Sequence, residues 1–147
     1  MKHKIYSIIT VVFILVLSSC FLFGCKNPKN PEKSEISIVE QTDTMIVIKI
    51  HHTNEQCTLL NIMNQLKNEE LLDFIVSNGM ITEINGLSNA NDFSSCWMLY
   101  TSDDNSSILE WGTIEYNDIT LGSAITGADT LFVIDEEYYI WNYQTFN

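Results

Sequence analysis

The chain has 147 residues, 46% of them hydrophobic and 11% aromatic, with only two prolines. That is enough apolar surface to offset the chain entropy of one domain, and it excludes wholesale disorder. Seven lysines and no arginine stand against nineteen acids, a net charge of −12, and a surface of that sign repels phosphate backbones, so nucleic acid is excluded as a partner.

Met1-Lys2-His3-Lys4 is a short basic start, and an uncharged, largely apolar run to Gly24 comes after it. This is the layout of an export signal, although its length would also suit an anchor helix. Leu22-Phe23-Gly24-Cys25 and Leu17-Ser18-Ser19-Cys20 both have the apolar, small, cysteine order of the bacterial lipobox. They resemble lipoprotein signals, in which the thiol is acylated and the cysteine becomes the new N-terminus. Cys25 is the preferred lipidation site and Cys20 the alternative. The residues after Cys20, Phe21-Leu22-Phe23-Gly24, would leave a greasy stub, whereas Lys26-Asn27-Pro28-Lys29-Asn30-Pro31 after Cys25 is a polar, proline-punctuated leash. The expected organisation is a lipoprotein signal peptide over 1–24, a polar tether over 25–34 and one domain over 35–147. That places the body at the cell membrane, lipid-anchored on its extracytoplasmic face.

In the body, Ser34 to His51 reads as strand, β-branched and mostly apolar at Met45–Ile50, with Gln41-Thr42-Asp43 either a turn between two strands or a bulge in one. The period then changes: Leu59, Leu60, Ile62, Met63 and Leu66 recur at helical spacing behind Thr58, which can cap the first free amides, so a helix is expected over about 58–69. Phe74–Val76 and Met80–Ile84 read as a hairpin around Ser77-Asn78-Gly79, and Asn85-Gly86 as a further turn. Trp97–Tyr100 is the next strand. Glu110–Tyr116 and Ile119–Leu121 form a hairpin at Asn117-Asp118, and Leu131–Ile134 and Tyr138–Tyr143 form a final pair of strands. After Lys67 there is no basic side chain, while residues 68–147 carry fourteen acids. One helix followed by many short strands predicts an α+β fold, a curved mixed sheet with one packed helix.

Five marks in order carry a resemblance. They are Thr58-Leu59-Leu60, then Gly79-Met80-Ile81-Thr82-Glu83-Ile84-Asn85-Gly86, then Trp97-Met98-Leu99-Tyr100, then Gly127-Ala128-Asp129, and last Tyr138-Tyr139-Ile140-Trp141-Asn142-Tyr143. Over about 45–146 the chain resembles the transcobalamin-like C-terminal domain family, small modules of bacterial surface proteins. The resemblance implies a β-grasp-like fold and a binding role, corrinoid-type in the vitamin carriers, where this domain lies over one face of the corrin.

The supply of catalytic groups is thin, and no catalytic residue, metal ligand or cofactor is assigned. His51 and His52 are adjacent in a strand, so they point to opposite faces. Asp103-Asp104-Asn105-Ser106-Ser107 has oxygen ligands in a row but lacks the spacing and central glycine of a calcium loop, and is read as solvated. Cys57 and Cys96 either form a disulfide or sit as buried free thiols. The aromatics are the remaining resource. Trp97, Tyr100, Trp111 and Tyr116 are the candidate ligand-binding residues, Trp111 foremost because Gly112 beside it lets a flat ligand or another backbone come close. The expected function is a non-catalytic, membrane-anchored lipoprotein that binds a small molecule, of corrinoid type on the strength of the resemblance, in uptake with a transporter. The alternative is a surface interaction or adhesion module that contacts a protein or glycan partner.

Overall fold

The structure is a computed structural model and describes residues 34–53 and 56–146. The expected signal peptide, nearly all of the tether, and both Cys20 and Cys25 lie outside these residues. Among the described residues no helix is long and apolar enough to cross a membrane.

Nine strands and one helix are described: β1 (Glu35–Gln41), β2 (Met45–His52), α1 (Leu59–Asn68), β3 (Phe74–Ser77), β4 (Met80–Ile84), β5 (Leu87–Ser88), β6 (Ser95–Thr101), β7 (Ser107–Tyr116), β8 (Ile119–Ala124) and β9 (Tyr138–Thr145). They form a six-stranded sheet in the order β1-β2-β9-β6-β8-β7 and a three-stranded sheet β3-β4-β5. The α+β class holds, but the sheet is not mixed: every described pairing is antiparallel. Alternation in a sequence places residues on faces, but it carries no information on which strand is the neighbour or which way it runs.

Helix α1 begins where the sequence places its cap. Asn61 N donates to Thr58 Oγ1 at 3.4 Å and Thr58 N donates to Asn61 Oδ1 at 3.0 Å, a reciprocal capping box. Leu59, Ile62, Met63 and Leu66 make its buried stripe. Three hairpin turns have positive φ at both central residues: Asn78-Gly79, Asn85-Gly86 and Asn117-Asp118. Turns of this hand match the twist of antiparallel strands, and Asn, Asp and Gly tolerate it best. After Asn85-Gly86, Leu87 opens the two-residue β5, paired with Ile84.

Leu131–Ile134 is not a strand, contrary to expectation. Leu131 and Val133 are buried and Phe132 and Ile134 exposed, as alternation requires. The backbone of this segment, however, serves the helix entrance: Leu59 N donates to the Leu131 carbonyl and Val133 N to that of Cys57. Only an isolated bridge, Thr58 to Phe132, remains.

The two faces of the large sheet are distinct. Ile46, Ile48 and Ile50 of β2, Trp97 and Leu99 of β6, and Tyr139 and Trp141 of β9 pack with α1 and with Phe74, Ile81 and Ile84 of the small sheet in one core. On the other face Val47, Tyr100, Leu121 and Ile140 form a second cluster with Ile114, Tyr116 and Tyr138 around it. This second cluster is buried because the sheet curls. Tyr116 of edge strand β7 meets Tyr138 edge-on at 5.6 Å and lies beside Glu40 of the opposite edge strand β1. Burial first, then the Glu40 carboxylate, pushes the Tyr116 hydroxyl above its ordinary range.

The acids of the second half find cations in the first. Lys67 Nζ pairs with Asp73 at 2.8 Å, Lys49 Nζ with Glu136 at 3.3 Å and His52 Nδ1 with Asp135 at 2.7 Å. Lys49 also donates to the Glu136 carbonyl and sits 4.4 Å over the Tyr138 ring. The Asp73 and Asp135 carboxyls are held below the usual range by hydrogen bonds from Lys67 and His52.

Candidate ligand-binding cleft

Strand β6 pairs with β9 at seven successive positions, Ser95 to Thr101, but with β8 only at Tyr100–Ser123 and Thr101–Gly122. Below that point the two strands no longer pair. The residues Cys96 to Leu99 border a cleft of about 280 Å³ there. Leu99 and Trp141, directly opposite in the β6–β9 register, and Trp97 supply one wall. Gly79 to Ile81 at the start of β4 and Gly127-Ala128 supply another. A volume of this size lies at the small end of the range for ligand pockets.

Strand β7 contributes the cover. Ile108 pairs with Ser123 and Thr113 with Gly122, adjacent positions on β8, so the four residues Leu109 to Gly112 are looped out of register. This is an enlarged bulge on an edge strand, a device that re-aims side chains. Gly112 has φ +131, open to glycine and strained for other residues, and Ser123 Oγ donates to its carbonyl at 3.2 Å. The outcome is Trp111, 62% exposed yet lining the cleft. Met80 and Phe93, each about half exposed, stand at the same mouth.

The polar groups of the cleft are mostly committed. Trp97 Nε1 donates to the Leu87 carbonyl at 2.8 Å, and Trp97 N donates to Asn89 Oδ1 at 2.9 Å. Asn89 Nδ2 donates to the Ile81 carbonyl at 3.2 Å, and the Cys96 thiol is directed to Met98 Sδ at 3.8 Å. Burial raises the Cys96 thiol above its ordinary range, which keeps it neutral. Trp141 is different: it is only 5% exposed and its Nε1 is buried without a hydrogen-bond partner. Among the described residues no charged side chain lines the cleft.

Of the four aromatics expected to bind, Trp97 and Trp111 meet here and the other two do not. Tyr100 is buried on the opposite face, where its hydroxyl accepts from Gln144 Nε2 at 2.8 Å, and Tyr116 belongs to the same second cluster. The reason is parity: Trp97 and Tyr100 are three apart on one strand and so face opposite ways. The sequence reading does not single out Trp141, Met80 or Phe93. The alternation of Tyr139, Trp141 and Tyr143 signals a common face, but only the β6–β9 register places that face beside Trp97, which Tyr143 meets edge-on at 5.4 Å.

Cys57 and Cys96 are both free thiols, so the disulfide alternative is not realised. Cys57 Sγ lies 3.4 Å from Thr53 Oγ1, ahead of the helix cap, while Cys96 faces the cleft. His51 and His52 do point apart, to Ser37 Oγ at 2.9 Å and to Asp135. The acidic run is less solvated than expected. Asp103 is 4% exposed, its Oδ1 accepts from Asn105 N and Nδ2, and its Oδ2 has no hydrogen-bond partner. No group of three histidine, cysteine or acidic side chains placed to hold a metal is found among the described residues.

In comparison with known proteins, no family model matches the chain, and no curated protein or solved structure matches it.

Proposed function

We propose that this protein is a lipid-anchored, extracytoplasmic binding protein whose domain captures a small molecule in the cleft between β6 and β8 without transforming it. The observation that carries the reading is the cleft itself: three tryptophans, Trp97, Trp111 and Trp141, line one concavity in which none of the described lining residues is charged. Pockets that bind ligands are concave, mainly apolar and furnished with few polar groups. Lining of this kind offers dispersion and ring stacking but no nucleophile, base and oxyanion donor in convergence. The address rests on the two lipobox sequences and the polar leash after Cys25.

The kinship with the transcobalamin-like domains and their β-grasp-like fold belongs to the same proposal. In its favour, the five sequence marks converge: Gly79 to Ile81, Trp97 to Leu99, Gly127-Ala128 and Trp141 all line the cleft, and the helix opened by Thr58 packs in the core beside it. A corrinoid is far larger than about 280 Å³, so it would rest at the mouth against Trp111 with most of its bulk outside. The alternative role, an interaction module for a protein or glycan, draws support from the exposed Leu109, Trp111 and Phe93.

Isothermal titration of the purified protein with cobalamin, with cobinamide and with small bicyclic aromatics separates these readings. Saturable heat with the bicyclics supports the small-ligand cleft, and heat with the corrinoids adds the corrinoid role. No heat from any of them removes small-molecule binding and leaves the interaction module. The anchor is tested by mass spectrometry of native material: diacylglyceryl mass on a peptide starting at Cys25 or Cys20 is expected, and an intact unacylated leader would overturn it.

A further inference from the structure

We propose that the cleft takes a neutral, flat ring ligand bearing one hydrogen-bond acceptor, which Trp141 Nε1 receives; this rests on reading the cleft as the binding site. Neutrality follows from the lining. Among the described residues that form it none is charged, and the Asp129 carboxylate lies against Gly79 and Gly127 without itself lining the space, so an ion would shed its hydration there and gain no direct counter-charge in return. Flatness follows from what the walls offer. Trp97, Trp111 and Trp141 present ring surfaces, which reward a planar partner by offset or edge-on stacking.

The acceptor follows from an inventory of donors. Trp97 Nε1 is satisfied by Leu87, the Asn89 amide by Ile81, the Ser123 hydroxyl by Gly112 and the Cys96 thiol by Met98. Of the side-chain donors on the described lining residues, Trp141 Nε1 is the one that is both shut off from water and left without a hydrogen-bond partner. Indole N–H donates and cannot accept, so the group that completes it is an oxygen or nitrogen lone pair. A buried donor without an acceptor weakens the folded state, and a ligand that supplies one recovers that loss on binding. A site built on one orphan donor also discriminates sharply against an analogue that lacks the acceptor.

Trp111 and the residues around it determine entry. Nε1 itself has no surface open to water, so side chains of the lining must move aside before a ligand reaches it, and Trp111, Phe93 and Met80 are the exposed ones.

The test uses naphthalene with quinoline and isoquinoline, rings of the same shape that lack or carry one acceptor nitrogen and are neutral at pH 7.5. Dissociation constants are measured for the wild type and for Trp141→Phe, and the ratio of the naphthalene value to that of the tighter aza-ring is compared between the two proteins. This ratio cancels the different hydrophobicities of the probes. It is expected to fall about tenfold in the variant, the worth of one buried hydrogen bond. Wild-type protein labelled with ¹⁵N-tryptophan gives a reading that does not depend on the variant folding: the Trp141 indole proton should move downfield with the aza-ring and not with naphthalene. If the rings bind but the ratio is unchanged or the indole proton does not move, the acceptor inference is overturned and the cleft reading stands. If no ring binds the wild type, the cleft reading itself fails and takes this inference with it.

Discussion

Ser123 Oγ donates to the Gly112 carbonyl at 3.2 Å, and that bond closes the base of the loop that carries Trp111. A Cβ added at Gly112 would lie 3.4 Å from Ser123 Oγ and 3.7 Å from the Tyr100 hydroxyl, which is ordinary contact. The objection to a side chain is therefore not space but the backbone, held at φ +131. Gly112→Ala should cost about 1–3 kcal/mol, the usual penalty for a residue forced into such a region. Urea unfolding checks it. An unchanged midpoint would mean that the loop relaxes freely and that Ser123 does not fix Trp111.

The helix entrance gives a second expectation. Thr58 caps α1 through a bond to Asn61 N and is answered by the Asn61 side chain. Thr58→Ala removes one half of that exchange and should cost about 1 kcal/mol, whereas Thr58→Ser keeps the capping oxygen and should shift stability by no more than about 0.3 kcal/mol. Denaturant midpoints for the pair decide it, and equal losses would show that the Thr58 methyl, not its hydroxyl, is what matters.

The helix entrance and the depth of the cleft differ in how far the sequence revealed them. The Thr58 cap, the apolar stripe from Leu59 to Leu66 and the turns at Asn78-Gly79, Asn85-Gly86 and Asn117-Asp118 are local, set by spacing and by left-handed backbone preference, and were legible. Trp111 was legible too, because Gly112 comes directly after it. The orphan on Trp141 was not, since it depends on which strand lies beside β9 and on where β6 and β8 part. Leu131–Ile134 failed as a strand for the same kind of reason. Its alternation is real, but its backbone partners, Leu59 and Cys57, are more than seventy residues earlier in the chain.

Tyr139 makes stability fall at high pH. Its ring is fully buried and its hydroxyl oxygen accepts from Ile134 N at 2.9 Å. Burial, with Asp103 and Glu137 nearby, pushes the hydroxyl up to about 12 from an ordinary 10. The folded state thus holds this proton more tightly than the unfolded chain. The associated stability is complete below pH 10 and is lost as pH rises from 10 through 12. Tyr139→Phe forfeits the Ile134 bond and should be about 1 kcal/mol less stable at pH 7. Because phenylalanine does not ionise, that deficit should shrink or reverse above pH 10. Parallel pH profiles of the two proteins would expose a wrong assignment of the alkaline limb to Tyr139.

Trp111 separates binding from folding. At 62% exposed it contributes little to the core, so Trp111→Ala should leave stability within about 0.5 kcal/mol of the wild type. It should nevertheless weaken the binding of quinoline and naphthalene alike by roughly three- to tenfold, since ring stacking contributes about 0.5–1.5 kcal/mol and the acceptor bond at Trp141 is untouched. Phe132→Ala is the control, because Phe132 is 55% exposed but lies outside the cleft lining and should change neither quantity. The comparison matters because an exposed aromatic can bind flat ligands unspecifically. Equal weakening by the two substitutions would show that the rings adhere to apolar surface in general, whereas a loss confined to Trp111 ties binding to the concavity between β6 and β8.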